Sequence, residues 1–211
     1  MLAEIRPKGT LRRRILSVLA TAGVVLAGTG TVQADPGNSI GVCCAWNDEL
    51  ADGDLTYKIS GGDATARQWV REATEEWDAA LEGLTLTEVT GNAKPDINIK
   101  FKQGGGMIQG TALRKFDRSG FITSVNLTIS GSAFGDPNNE TTIEQITKHE
   151  EGHALGADHA NFDGDLMSTT VSGGSSEISP CDIAAVREAN HWELVDGSST
   201  PHAPHVNHVH C

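Results

Sequence analysis

Apolar and polar positions alternate along residues 55–60 (LTYKIS), and Gly61-Gly62 then closes the run, which predicts a strand. The period changes directly afterwards. Trp69, Ala73, Trp77 and Leu81 recur at steps of four with Glu and Arg between them, so residues 64–81 are expected to form an amphipathic helix with its tryptophans in the core. Alternation returns at residues 84–89 (LTLTEV) and 96–101 (DINIKF), giving two further strands. The glycine-rich stretch 102–106 lacks the GKS or GKT ending of a phosphate-binding loop and reads as a turn. Residues 110–116 and 122–129 read as two more strands, joined by a turn at 117–120.

Beyond a loop at 131–140, Thr142 and Gln145 have the spacing of a capping box, so a helix is expected from there to about Leu155, with Gly156 as its stop. Ser179, Pro180 and Asp182 mark a second helix start, continuing to about Trp192. Residues 196–211 are rich in Gly, Ser, Thr, Pro and His and read as a tail, pinned only if Cys211 is bridged. The order strand, helix, four strands, helix, loop, helix describes one α/β domain without internal repeats.

The first residues follow a different rule. Arg6, Lys8, Arg12, Arg13 and Arg14 precede an apolar, small-residue run from 15 to about 28, and Val32 and Ala34 then offer a small-residue cleavage site. That is the order of a secretory signal, so residues 1–34 are expected to be removed on export. The run is shorter than a membrane span and diluted by Gly and Thr, which argues against an anchor in the processed protein. Whether the arginines direct a twin-arginine route stays open. Removing residues 1–34 takes away five basic residues and one acid, and moves the formal charge from −12 to −16. Such a surface makes a poor partner for nucleic acids and anionic membranes.

All four cysteines, Cys43, Cys44, Cys181 and Cys211, lie beyond residue 34. An even count in an exported chain reads as disulfides. A bond between the adjacent Cys43 and Cys44 misses the usual Cα separation, so each is expected to pair with Cys181 or Cys211, in an order the sequence leaves open.

The chemistry concentrates in residues 149–159. His149, Glu150, His153, Gly156 and His159 fit HExxHxxGxxH at every fixed position. On a helix His149 and His153 are one turn apart on one face, so both imidazoles can meet one metal ion. Glu150 lies about 100° around the helix, outside the ligand set but within reach of a water there. Gly156 permits a sharp turn that returns His159 as a third ligand. Three histidines with an open fourth position suit one catalytic Zn²⁺. Glu151 is expected to point elsewhere and to be solvated.

Met167 follows His159 by eight residues, in the stretch DGDLMS. At that distance it resembles the Met-turn beneath the zinc of metzincin metallopeptidases. The succession LTYKIS, the Trp77 helix, LTLTEV, DINIKF, the long motif, the Met-turn and Cys181-Asp182-Ile183 resembles the catalytic domain of the matrixin branch over roughly residues 55–192. The only tyrosine is Tyr57, so the tyrosine that follows the Met-turn in astacin-like and serralysin-like enzymes is missing. The resemblance implies a catalytic domain over 35–195, an α/β fold with a twisted five-stranded mixed sheet, an active-site helix and a C-terminal helix. One antiparallel edge strand, by position Gly110, Thr111, Ala112 and Leu113 onward, would align a peptide or protein substrate. The implied activity is that of a secreted or cell-envelope zinc endopeptidase with Glu150 as general base, acting as a monomer. The alternative is a catalytically idle, zinc-dependent peptide-binding protein on the same fold.

Three weaker signals remain. His202, His205, His208 and His210 in the segment 196–211 can chelate divalent ions, but a flexible tail with incidental histidines is the favoured reading. His191 reads as a packed or surface histidine. Asp136, Asp163 and Asp165 would have to supply any structural Ca²⁺, without a spaced calcium-loop motif.

Overall fold

A computed structural model describes residues 37–104, 106–170 and 174–211, so the proposed signal segment 1–34 lies outside the described residues. The alternating runs form the expected strands: β1 (Ser39–Val42), β2 (Asp54–Ser60), β3 (Thr85–Glu88), β4 (Ile97–Gln103), β5 (Gln109–Phe116) and β6 (Ile122–Gly131), of which only β1 went unread. Helix α1 (Ala64–Ala80) follows β2, α2 (Glu140–Ala154) follows β6, and β7 (Ala157–Ala160), α3 (Pro180–Ala189), α4 (His191–Leu194) and β8 (His208–His210) complete the chain. β2 to β6 form one five-stranded sheet in the order β3-β2-β4-β6-β5. Its pairs are parallel except β5 with β6, which places the antiparallel strand at the edge. No helix among the described residues is long and apolar enough to cross a membrane.

The core lies between this sheet and the helices. Trp69, Val70, Ala73 and Trp77 of α1 are buried, as their spacing requires, with Ile97, Ile99, Leu127 and Ile129 of the sheet. Two tryptophans also fix α2 through their indole N–H groups: Trp77 Nε1 donates to Lys148 O at 2.9 Å and Trp46 Nε1 to Ala154 O at 3.0 Å. Buried indoles take such partners because an unpaired N–H in the core is costly.

Several expectations need correction. α2 begins before Thr142, after a short 3-10 turn capped by Asp136, whose side chain accepts the Asn138 N–H. Gln145 turns its amide to the carbonyls of Gly174 and Ser175, so the Thr142–Gln145 box is replaced by tertiary bonds. The Ser179–Asp182 capping box does form, but the helix it starts breaks at Asn190. Asn190 is buried, donates to Leu155 O at 2.8 Å and accepts from Trp46 N at 3.0 Å.

The C-terminal segment is more than a tail. β8 pairs antiparallel with β1, which pairs antiparallel with β7, forming a three-stranded sheet. This decides the cysteine pairing. β8 carries Cys211 to the start of α3, where it bonds Cys181 across a Cα separation of 5.5 Å, and the adjacent Cys43 and Cys44 bond each other. The expected cross-pairing fails because Cys181 and Cys211 are satisfied by a strand pairing that was not legible.

Candidate metal centre

The last turn of α2 presents His149 and His153 on one face, and the chain then reverses at Gly156. Its φ is +101°, and a Cβ there would run into the Cys44 carbonyl and lie 2.7 Å from Ala189 Cβ. Both constraints demand glycine. Beyond the turn, β7 brings His159 back, so that the three imidazoles each offer a nitrogen within 4.8 Å of the others. Ring centroids are 4.7 Å apart for His149–His153 and for His153–His159, and 5.4 Å for His149–His159.

Hydrogen bonds fix which nitrogen faces inward. His149 Nδ1 lies 2.7 Å from Leu166 O and His153 Nδ1 2.9 Å from Ala157 O. A carbonyl only accepts, so in each neutral ring Nδ1 carries the proton and Nε2 keeps its lone pair. His153 Nε2 and His159 Nε2 are 3.2 Å apart. Bonds of about 2.0–2.1 Å to a tetrahedral zinc separate two donors by about 3.3–3.4 Å. Burial lowers the pKa of His149 and brings that of His153 down to about 3, which favours the neutral, ligating form. The donor set therefore fits zinc.

Glu150 is buried beside the triad, and the desolvation pushes its carboxyl up to about 7 against the opposing pull of Arg114 and the Ala112 N–H. A cation on the three imidazoles would draw it back down. The Ala112 bond ties the carboxylate to the edge strand. β5 approaches α2 closely only because Gly110 has no side chain: an added Cβ would collide with the Glu150 side chain and lie 2.7 Å from Ile146 Cγ2. Together they line a cleft of about 860 Å³ that includes Thr111, Glu150 and the three histidines.

Met167 is wholly buried under α2, its sulfur so close to Gly152 that a Cβ there would lie 2.5 Å away. Asp165 shapes this turn, accepting from Met167 N at 3.0 Å and from Ser179 Oγ at 2.9 Å. Asp165 is thereby engaged, and the metal-competent clusters among the described residues do not include Asp136, Asp163 or Asp165.

Two side chains at the site went unread. Arg114 on β5 donates through Nε to His153 O and through Nη2 to Ala157 O, both at 2.6 Å, and pairs with Asp158 at 3.2 Å. It clamps the turn between the second and third histidines. The period-2 pattern of β5 puts Arg114 on the face of Gly110 and Ala112, but only the packed structure shows that this face meets α2. Glu151, expected in solvent, is instead 2% exposed. α1 covers that side of α2, and Thr74 Oγ1 lies 2.6 Å from Glu151 Oε1 and 2.8 Å from Val70 O. One hydroxyl proton cannot serve both acceptors. A protonated Glu151 satisfies both contacts, in line with burial pushing its carboxyl up to about 8.

The matrixin family model (peptidase M10) matches residues 45–189, most of the chain. No curated protein matches the sequence. Among solved structures, myroilysin is 23% identical with a TM-score of 0.39, over 57% of this chain and 54% of its own. The GM1-bound ECX AB5 holotoxin is 17% identical with a TM-score of 0.47, over 72% of this chain and 88% of its own. An archaemetzincin from Methanopyrus kandleri is 12% identical with a TM-score of 0.47, over 66% and 96%. The chain thus spans about half the length of the myroilysin chain it matches. It belongs to the matrixin family, a family of zinc metallopeptidases.

Proposed function

We propose that this matrixin is an exported endopeptidase in which His149, His153 and His159 hold one zinc ion and Glu150 moves the proton. The observation that supports the reading best is the convergence of three imidazole nitrogens with a buried carboxyl under an antiparallel edge strand. Bound there, zinc supplies a Lewis acid that acidifies water and polarises a carbonyl. Glu150 accepts the proton of the attacking water and returns it to the leaving amine, so no covalent intermediate is required. An extended substrate segment adds to β5 along Gly110, Thr111, Ala112 and Leu113, where backbone groups fix its register. The bond from Ala112 to Glu150 holds the base against that segment. Arg114 keeps the turn carrying His159 in place.

Export is supported by the order of residues 6–34 and by disulfides, which persist in oxidising compartments. Glu150→Gln is expected to lower kcat/KM by about 10²–10⁴-fold on a peptide blocked at both ends, with zinc content unchanged. Retained cleavage refutes the role of Glu150. Binding of the peptide without chelator-sensitive cleavage by the wild type would make the protein an idle binder instead.

A further inference from the structure

Four histidines in the C-terminal segment have no part in this reading, and the structure sorts them. His208 and His210 lie exposed on β8. His202 and His205 fold back to the end of α3 and meet His191 of α4, each of the three offering a nitrogen within 4.8 Å of the others. Asp196 lies beside this trio without joining it: its Oδ2 is 3.3 Å from His191 Nδ1 and 3.2 Å from His202 Nε2.

Hydrogen bonding alone leaves the cluster unsatisfied. His202 Nδ1 lies 3.0 Å from Ala203 O, so it carries the proton in the neutral ring. The lone pair of Nε2 then faces the Asp196 carboxylate, acceptor to acceptor. A second proton or a metal ion must lie between them. His191 Nδ1 is buried, and among the described residues its nearest acceptor is the same carboxylate at 3.3 Å, outside good hydrogen-bond geometry. A metal ion would engage both nitrogens at once.

The cluster is also held from outside. Glu188 Oε1 accepts from His205 N at 2.6 Å and Val206 N at 3.0 Å, fixing the loop against α3. Downstream, the β1–β8 pairing and the Cys181–Cys211 bond secure the end of the chain. We propose that His191, His202 and His205 bind a second zinc ion, separate from the HExxH site, with the Asp196 carboxylate beside it. A metal ion held there would staple the segment 196–211 to the last two helices.

Zinc per chain, measured by plasma mass spectrometry after loading with zinc ions and removal of excess, tests this. The wild type is expected to hold two. The His202→Ala/His205→Ala variant is expected to hold one and to keep its peptidase activity, and His153→Ala/His159→Ala also one. Because two alanines can unsettle the segment, Asp196→Asn/His202→Gln serves as a conservative pair and is likewise expected to hold one. One zinc in the wild type and in both C-terminal variants overturns the proposal, leaving a protonated His202 as the occupant. One zinc in the wild type and none in those variants upholds this site and overturns the HExxH assignment instead.

Discussion

Gly110→Ala tests the closest contact between the edge strand and Glu150. The new Cβ would lie 2.5 Å from Glu150 Oε1 and 2.7 Å from Ile146 Cγ2, where ordinary carbon contacts are about 3.5–4.0 Å. β5 must then withdraw by about 1 Å, or Glu150 must turn away, and a misplacement of that size at an active site costs about 10²-fold. Overpacking costs about 1–3 kcal/mol of stability. The strand is the softer partner, because β5 lies at the edge of the sheet and among the described residues pairs only with β6. The larger effect should therefore fall on kcat/KM and the smaller on the urea midpoint. Zinc content should not change, since the histidines are not touched. Lys115→Ala, on the exposed face of the same strand, is the control. Wild-type kcat/KM in folded Gly110→Ala would refute the argument that this clearance positions Glu150.

Three further outcomes follow from the same geometry. Gly156→Ala combines a left-handed φ with contacts to Cys44 and Ala189, and should cost about 2–4 kcal/mol in thermal denaturation and weaken zinc retention, an unchanged midpoint speaking against the turn. Arg114→Ala removes two charged bonds to the turn, and should lower zinc affinity about 10–100-fold in competition with a chelator; equal affinity sinks its positioning role. Glu151, with a folded pKa raised to about 8 above its ordinary 4.5, favours the folded state fully below pH 4.5, and that contribution is lost as pH rises through 8. Glu151→Gln should flatten this decline in denaturation measured across that window, and a wild-type pH profile in the variant would show Glu151 to be charged when folded.

Much of the architecture was legible because its elements are long and strongly periodic. α1 repeats its apolar face every four residues, and β4 and β6 alternate, so burial could be assigned position by position. β1, β7 and β8 span only three or four residues each, too few for a period to show, and their pairing joins parts of the chain more than a hundred residues apart. The same blind spot produced the wrong cysteine pairing. The burial of Glu151 is not legible because helical position gives the direction of a side chain but not what packs there, and here α1 does.

The sequence by itself determined the identity of the site. The spacing of His149, His153 and His159 about Gly156 is a local matter of helix turns and one permitted φ, and it needs no knowledge of the rest of the chain. The tertiary structure decided everything that depends on contact between distant segments. It brought Gly110 and Arg114 onto α2, buried Glu151 beneath α1, and assembled His191, His202 and His205 at one place. The physical reason is range: backbone geometry carries information over one or two turns, whereas desolvation, clearance and ligand convergence are set by whichever surfaces packing brings together.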